Sequence, residues 1–383
     1  MTRQAPVKRL SGVYSFYFAL LGVWVPYWGL YLADIGFDGR IIGVVFGISF
    51  LARILGPYCA AYFAERTGSR VLVMRWLAWL SVVSALPLVM STNLTVIVIS
   101  VALYSFFWNA ILPILEALTL EWFTEDPARY GRIRIWGSLS FIALVMGLGE
   151  LLATGSSSWV PVILLTTLVL LGVGLSSVPE PARTVEKRHG EGFVHYLKQR
   201  PVLVFFATAF LLQVSHGVYY ALFSLFLETH TFSRSSISYL WTLAVVAEVL
   251  MFWMMTRLFH RWSIEAALPL CLLLSSVRWV VLALFVADPA WVAFTQVLHA
   301  FTYAAHHGAC MIWLARAIPA NAADQAQAFY AAICFGLGGA SGAFIGGEIW
   351  LYSPLGSFLF AASSSALALV LWWAFMPQKR TVS

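Results

Sequence analysis

Arg53, Glu116, Arg134, Glu248 and Arg278 stand inside stretches of sequence that are otherwise apolar. A charge at the centre of a bilayer costs about 3 kcal/mol even on the lenient insertion scale, so intramembrane charges face a partner or a wet cavity. Two kinds of chemistry are open to such residues. Oppositely charged side chains that cancel each other's desolvation can exchange one partner for a charged solute. A carboxyl whose neutral form is favoured by burial, and whose charged form is favoured by a guanidinium, can take up and release a proton. Covalent chemistry has no counterpart here. The chain has no Walker A loop, HExxH, GxSxG or S-x-x-K, so no catalytic residue and no enzyme is expected.

Glu116 and Arg134 are the candidate exchangeable pair; the alternative is a structural staple, or charges that snorkel to water. Arg53 lies ~18 Å into its apolar stretch at ~1.5 Å per residue, with no acidic residue as an obvious partner. Either an anionic substrate supplies a bidentate carboxylate, or backbone carbonyls of a neighbouring helix bond it. Gln296, His299, Tyr303 and His306 recur at spacings of three or four and form one polar stripe on a helix. Gln213, His216 and Tyr220 repeat the device, with His216 and Tyr220 as candidate substrate contacts. Counting residues from one membrane face places Glu248 ~20 Å deep and Arg278 and His299 ~12 Å deep, with His306 at the level of Glu248. A Glu248–Arg278 pair that separates and re-forms would couple protons, with His299 and His306 in reserve; a static pair would only set helix packing. Trp24 and Trp28 could stack on an aromatic ring or simply pack helices, and Tyr14 and Tyr31 read as interfacial belt residues. His306-His307 is a poor metal motif, because adjacent helical residues point ~100° apart, and no metal site is expected.

The elements that must position these residues follow from composition. Of 383 residues, 61% are hydrophobic and 10% charged, far below the ~25% charge of soluble domains. The apolar stretches run continuously for about 20 residues instead of alternating, which is the pattern of membrane helices and not of a barrel. Spans are expected near 10–33, 41–63, 71–90, 94–120, 133–152, 159–178, 201–227, 235–259, 266–286, 291–315, 326–347 and 357–375. Nineteen of the 23 Lys and Arg residues fall on the side of the two termini, which puts both termini in the cytoplasm. The net charge of +6 is therefore a topology signal, and no nucleic-acid partner is expected. Cys59, Cys271, Cys310 and Cys334 lack metal or disulfide spacing and read as small core residues. The N-terminus leads straight into a span too long for a cleavable signal. Glycines at 336, 338, 339, 342, 346 and 347 crowd the eleventh span, where small residues let helices approach closely.

The longest polar stretch, Pro179 to Arg200, splits the spans six and six. The expected organisation is a bundle over 1–180, a central cytoplasmic loop over 181–200 and a second bundle over 201–383. Ala61-Tyr-Phe-Ala-Glu65-Arg66-Thr67-Gly68-Ser69-Arg70 resembles the G-x-x-x-D-R-x-G-x-R signature of the major facilitator superfamily, with Ala61 for the first glycine and Glu65 for the aspartate. The resemblance implies an all-α membrane protein of twelve helices in two six-helix bundles that works by alternating access. It also implies that spans 1, 4, 7 and 10 line the central cavity.

Three further segments narrow the resemblance. Pro26 to Gly36 with Ile42-Gly43 and Leu51-Ala-Arg53-Ile-Leu-Gly56, Tyr130 to Ser138, and Leu212 to Tyr220 with Tyr239 to Glu248 resemble the bacterial phenylpropionic-acid permease family over nearly the whole chain. Glu116, Arg134, Glu248, Arg278 and His299 also match motif positions of the lactose permease; where that protein has its proton-carrying glutamate, this chain has Thr302. The resemblance implies a proton-coupled symporter of a small aromatic acid such as 3-phenylpropionate, in the bacterial inner membrane. Its partners would be the substrate, protons and lipid, with the proton as coupling ion, no other cofactor and a monomeric state. A sugar or nucleoside symporter, or a drug exporter, is the alternative.

Overall fold

A computed structural model describes residues 6–123, 126, 128–181 and 193–377. All regular structure among these residues is helical. The helices are α1 Val7–Asp34, α2 Gly39–Thr67, α3 Arg70–Ala85, α4 Pro87–Met90, α5 Leu94–Asn109, α6 Ile111–Trp122, α7 Ala128–Thr154 and α8 Trp159–Ser176. After a 3-10 turn at Phe193–Lys198 come α9 Arg200–Thr229, α10 Arg234–Arg261, α11 Ile264–Phe285, α12 Pro289–His299, α13 His306–Ala317, α14 Ala323–Tyr330, α15 Gly339–Trp350 and α16 Pro354–Phe375. Helix is the only open structure that satisfies every backbone group within lipid, which explains why the apolar stretches fold this way.

Eleven helical segments among the described residues are long and apolar enough to cross a membrane. Pro289–Ala317, expected as the tenth span, is a further continuous helical path that is not among them. It carries Gln296, His299, Thr302, Tyr303, His306 and His307, so the polar stripe itself dilutes its apolarity. The path is also not regular. Residues Ala300–Ala305 form a π-helical segment between α12 and α13, and Ala331–Gly338 form another between α14 and α15. Segments of this kind often mark functional sites.

The turns follow the sequence closely. Gly68 ends α2 in the left-handed region at φ 71°, and Ser69 then caps α3 by accepting from Leu72 N. The superfamily-like signature therefore makes a tight helix–helix corner that needs its glycine. Glu180, from the start of the central polar stretch, accepts from Arg70 N and Val71 N at 3.0 Å each. Asp288 and Ser353 cap α12 and α16, each followed by a proline at the first helical position. Of the central loop expected over 181–200, residues 182–192 lie outside the described residues.

The chain forms two compact units, Met1–Val185 with Phe223–Thr242, and Glu186–Leu222 with Leu243–Ser383. The hairpin Phe223–Thr242, expected within the second bundle, thus groups with the first. Within that unit Arg234 Nη2 donates to both carboxylate oxygens of Asp34 at 2.7 and 2.8 Å and to Glu228 at 2.9 Å. Tyr239 donates to Glu150 at 2.6 Å in the same unit. Arg40 and Arg234 are the two Lys or Arg residues expected in connections opposite the termini, and Arg234 is tied to two carboxylates.

In the first unit α1 lies against α7 and α8, and α5 against α2 and α3. In the second, α11 lies against α16 and α12. The span-11 glycines do what their crowding suggests. A methyl group added at Gly342 would overlap the Val214 carbonyl of α9, and one at Gly346 would meet Val218 at 2.9 Å. Gly217 returns the contact from α9 toward the Gly339 carbonyl. Gly342→Leu should therefore prevent the α9–α15 contact and lower the melting temperature in detergent, or abolish folded yield. Overpacking costs about 1–3 kcal/mol even where neighbours can shift, and here the obstacle is backbone. A variant that melts with the parent protein would refute the contact.

Two sequence readings change. Cys59 is exposed, whereas Cys271, Cys310 and Cys334 are buried as expected, and all four are free. Tyr14 and Tyr31 are buried and so are not belt residues; Tyr14 donates to Thr119 Oγ1 at 3.3 Å instead.

Candidate functional site

Each unit holds one polar cluster. In the first, Gly56 lets α2 approach the Phe106 carbonyl of α5, to which a methyl carbon would come within 2.6 Å. That approach brings Arg53 to Asn109, the last residue of α5. Arg53 Nε donates to Asn109 Oδ1 at 3.2 Å, and the guanidinium lies 5.0 Å from the Phe50 ring. The Asn109 amide is oriented by its own donors, since Nδ2 gives to the Ser105 carbonyl at 2.8 Å and the Ser49 carbonyl at 3.4 Å. Its oxygen must then face Arg53. Among the described residues no carboxylate stands within ion-pair distance of Arg53. A neutral amide satisfies one of its donors and leaves its charge uncompensated.

Glu116 on α6 and Arg134 on α7 meet with Oε1 3.9 Å from Nε. The expected pair is a single long contact. Arg134 also lies over the Phe18 ring at 3.8 Å, and Tyr130 donates to Glu116 Oε1 at 3.3 Å. The two side chains keep 31% and 36% of their surface exposed, so both retain free hydrogen-bonding capacity. Arg53, Glu116 and Arg134 lie in the same unit, and Glu116 and Arg134 are in contact with each other. Arg134→Lys should cut substrate affinity at least tenfold, although charge is kept. Lysine lacks the flat face that stacks on Phe18 and the fork that could take a carboxylate; near-normal binding by the purified variant would reduce Arg134 to a structural charge.

Aromatic rings run from this cluster along α1 and α5. Tyr17 faces Trp108 with centroids 5.1 Å apart, Trp108 neighbours Tyr104 at 6.4 Å, and Tyr104 meets Trp24 edge-on at 5.4 Å. Trp24 stacks on Trp28 at 5.2 Å and touches Phe46 at 5.0 Å. Both tryptophans are buried within the unit, so they pack helices here. Among the described residues, the indole N–H groups of Trp28 and Trp108 meet no acceptor.

The second unit centres on Arg278 of α11, which is fully buried. Its Nη1 donates to His299 Nδ1 at 3.0 Å and to Thr302 Oγ1 at 3.1 Å. A guanidinium only donates, so His299 Nδ1 offers its lone pair and the ring proton sits on Nε2. That nitrogen faces Glu248 Oε2 of α10 at 3.8 Å. On the other arm, His216 Nδ1 lies 3.0 Å from the Leu212 carbonyl, which only accepts. His216 therefore carries its proton on Nδ1 and accepts at Nε2 from the Thr302 hydroxyl, 3.4 Å away. Arg278 thus sets the tautomer of His299, and the Leu212 carbonyl sets the opposite tautomer of His216. The expected Glu248–Arg278 pair is not formed, because His299 stands between them.

The remaining stripe residues fall around this network. Gln296 accepts from Tyr219 at 2.8 Å. Tyr303 stacks on His299 with centroids 5.3 Å apart, and Tyr220 lies 6.2 Å from His216. His306 is buried beside Cys310, 3.6 Å from its sulfur. The described residues contain no group of three or more potential metal ligands.

Asn109, Tyr130, Tyr219 and Trp279 were not singled out by sequence. Asn109 had a signal, as the only amide between Leu94 and Trp122. Tyr219 had none, since it adjoins Tyr220 and only the helix face separates them.

Residues 7–360 match the MFS_1 like family. The chain belongs to that family. As a member it is a multi-pass membrane protein and a secondary transporter of the MFS type, not an enzyme. It is 29% identical over 327 residues to the probable 3-phenylpropionic acid transporter of Escherichia coli (strain K12), covering 84% of this chain and 86% of that protein. The fold is similar to that of the nucleoside transporter NupG, with a TM-score of 0.86 at 17% identity over 97% of this chain and 99% of that one. A D-xylose-proton symporter matches at TM-score 0.75 and 13% identity, over 98% and 97% of the two chains. These likenesses establish the fold of this MFS_1 like protein.

Proposed function

We propose that the protein is a proton-coupled symporter of a small aromatic carboxylate, of the kind named for its Escherichia coli relative. The observation that carries this reading is Arg53, an intramembrane guanidinium 5.0 Å from the Phe50 ring and bonded to the neutral amide of Asn109, the residue that follows Trp108 of the Tyr17–Trp108 aromatic pair. A cation that is left uncompensated within a span favours an anionic ligand, and neighbouring ring faces favour an aromatic one. Glu116 and Arg134, with their remaining exposure, extend the polar surface of the same unit, and His216 and Tyr220 are further candidate contacts in the other.

Proton coupling is assigned to Glu248 and His299, with Arg278 as the fixed donor that sets the tautomer of His299. While Arg278 occupies the lone pair of His299 Nδ1, the ring cannot take a second proton, so protonation is assigned to Glu248. His306 is the reserve candidate. The excess of Lys and Arg on one side supports cytoplasmic termini and, in a bacterium, the inner membrane. No cofactor other than the proton is required.

Competition in proteoliposomes tests the substrate class. Counterflow of labelled 3-phenylpropionate should be inhibited by other arylalkanoic acids and not by maltose, uridine or cationic drugs. Strong counterflow of a sugar or nucleoside, with none of the acid, would replace this reading with the corresponding symporter, and efflux of cationic drugs would replace it with an exporter.

A further inference from the structure

Arg278 has more hydrogen-bonding capacity than its unit uses. Its Nη1 hydrogens go to His299 and Thr302, which fixes the plane of the guanidinium. Nε and Nη2 are buried and make no sound hydrogen bond to any described residue. These two atoms share one edge of the group, the edge whose parallel N–H bonds match the two oxygens of a carboxylate. The charge is also uncompensated. No carboxylate lies within ion-pair distance of Arg278 among the described residues, and Glu248 is one imidazole away. Around it lie the Tyr219 ring at 4.5 Å and the Trp279 ring at 4.1 Å, both suited to a cation and neither able to neutralise it.

Buried donors left without acceptors are uncommon in native proteins and call for a specific explanation. Packing alone is a poor one, because an apolar residue of similar length could fill the same space without desolvating a charge. Nor is Arg278 needed to hold His216, whose position is also set by the Leu212 carbonyl.

We propose that the Nε–Nη2 edge of Arg278 is a carboxylate-binding site of the second unit, distinct from the Arg53 cluster of the first. The His299 and Thr302 contacts pre-orient the fork, so that little side-chain freedom remains to be lost on binding. The ligand is a carboxylate, either the substrate's own or that of a small free acid. The site stands whether or not the transported substrate is aromatic.

Titration calorimetry on the purified full-length protein tests it, with 3-phenylpropionate, its neutral amide 3-phenylpropanamide, and sodium acetate as probes. The parent protein should bind 3-phenylpropionate at least about 30-fold more tightly than the amide, the scale of one charge-assisted hydrogen bond beyond the one that the amide carbonyl can accept. In Arg278→Met the ratio should fall at least about tenfold, leaving only the preference that the Arg53 cluster supplies; this variant replaces a buried cation without a carboxylate partner by an apolar chain and is expected to fold. Arg278→Lys, which keeps the charge but not the fork, should lose most of the preference. Acetate binding that Arg278→Met abolishes identifies the ligand as a small free acid, and an acid preference without acetate binding identifies the substrate's own carboxylate. Both outcomes support the site. An acid preference left undiminished by both substitutions overturns the site and leaves the aromatic-acid reading intact. Acetate binding lost in Arg278→Met, without binding of 3-phenylpropionate, does the reverse. Should both variants fail to fold, parent protein labelled with 15N-arginine decides: the acids should shift a buried Nε–H resonance that the amide leaves in place, and no shift refutes the site.

Discussion

Glu248→Gln should abolish accumulation driven by a pH gradient while leaving exchange of substrate at equal concentrations. The substitution keeps the shape and polarity of the side chain and removes its ability to carry a proton. Glutamine can still accept from the Nε2–H of His299, so the Arg278–His299 arm should persist. A gradient-driven step then has no proton to carry, whereas binding and reorientation of the loaded protein continue. The expected loss in uphill uptake is at least about 100-fold, the usual upper range for removing a single proton-transfer group being 10²–10⁴ in rate. Accumulation at the parental level would move the proton to His299 or His306, the two buried histidines that remain on the same helical path.

Arg53→Met should lower affinity for the aromatic acid by about 10–100-fold, the cost of losing one strong charged hydrogen bond of 1.5–3 kcal/mol. Folding should survive. Asn109 loses one donor, yet its Nδ2 bonds to the Ser105 and Ser49 carbonyls remain to hold α2 against α5. Removing an uncompensated cation from the span also removes its desolvation, so the variant should melt no lower than the parent in detergent. Equal affinity for the acid would confine Arg53 to packing between α2 and α5, and a variant that unfolds would show that the Asn109 contact is structural.

The helices were legible because lipid leaves the backbone little choice. A run of about 20 apolar residues must be a helix, and observed bounds such as Arg200–Thr229 and Pro354–Phe375 differ from the expected spans by a few residues. Interruptions within helices were not legible. The fourth span breaks at Ala110 between α5 and α6, and the tenth and eleventh spans contain π segments. Neither kind of break changes hydropathy. Only the exchange of i−4 for i−5 bonds distinguishes a π turn, and that depends on neighbouring helices.

The candidate sites were half legible for a related reason. Charge in an apolar stretch is conspicuous, so Arg53, Glu116, Arg134, Glu248 and Arg278 stood out. Their partners did not. Depth along a span places two residues at one level without saying which faces which, and His299 was therefore read as a neighbour of a Glu248–Arg278 pair instead of the group between them. The same limit concealed Asn109 from Arg53. It also made belt residues of Tyr14 and Tyr31, whose positions near helix ends fit an interface but whose side chains are buried. Trp24 and Trp28 lie on one face of α1 as the spacing required, and the structure shows them stacked on each other.

The central claim is that movement of an aromatic acid is tied to movement of protons through the Glu248–His299 arm. The most direct measurement is uptake of 3-phenylpropionate into proteoliposomes with the outside made acidic, recorded together with internal pH. The account predicts accumulation above the external concentration, faster internal acidification when the acid is present than when it is absent, and loss of both in Glu248→Gln. Accumulation that follows a membrane potential alone, with no protein-dependent proton flux, would contradict it.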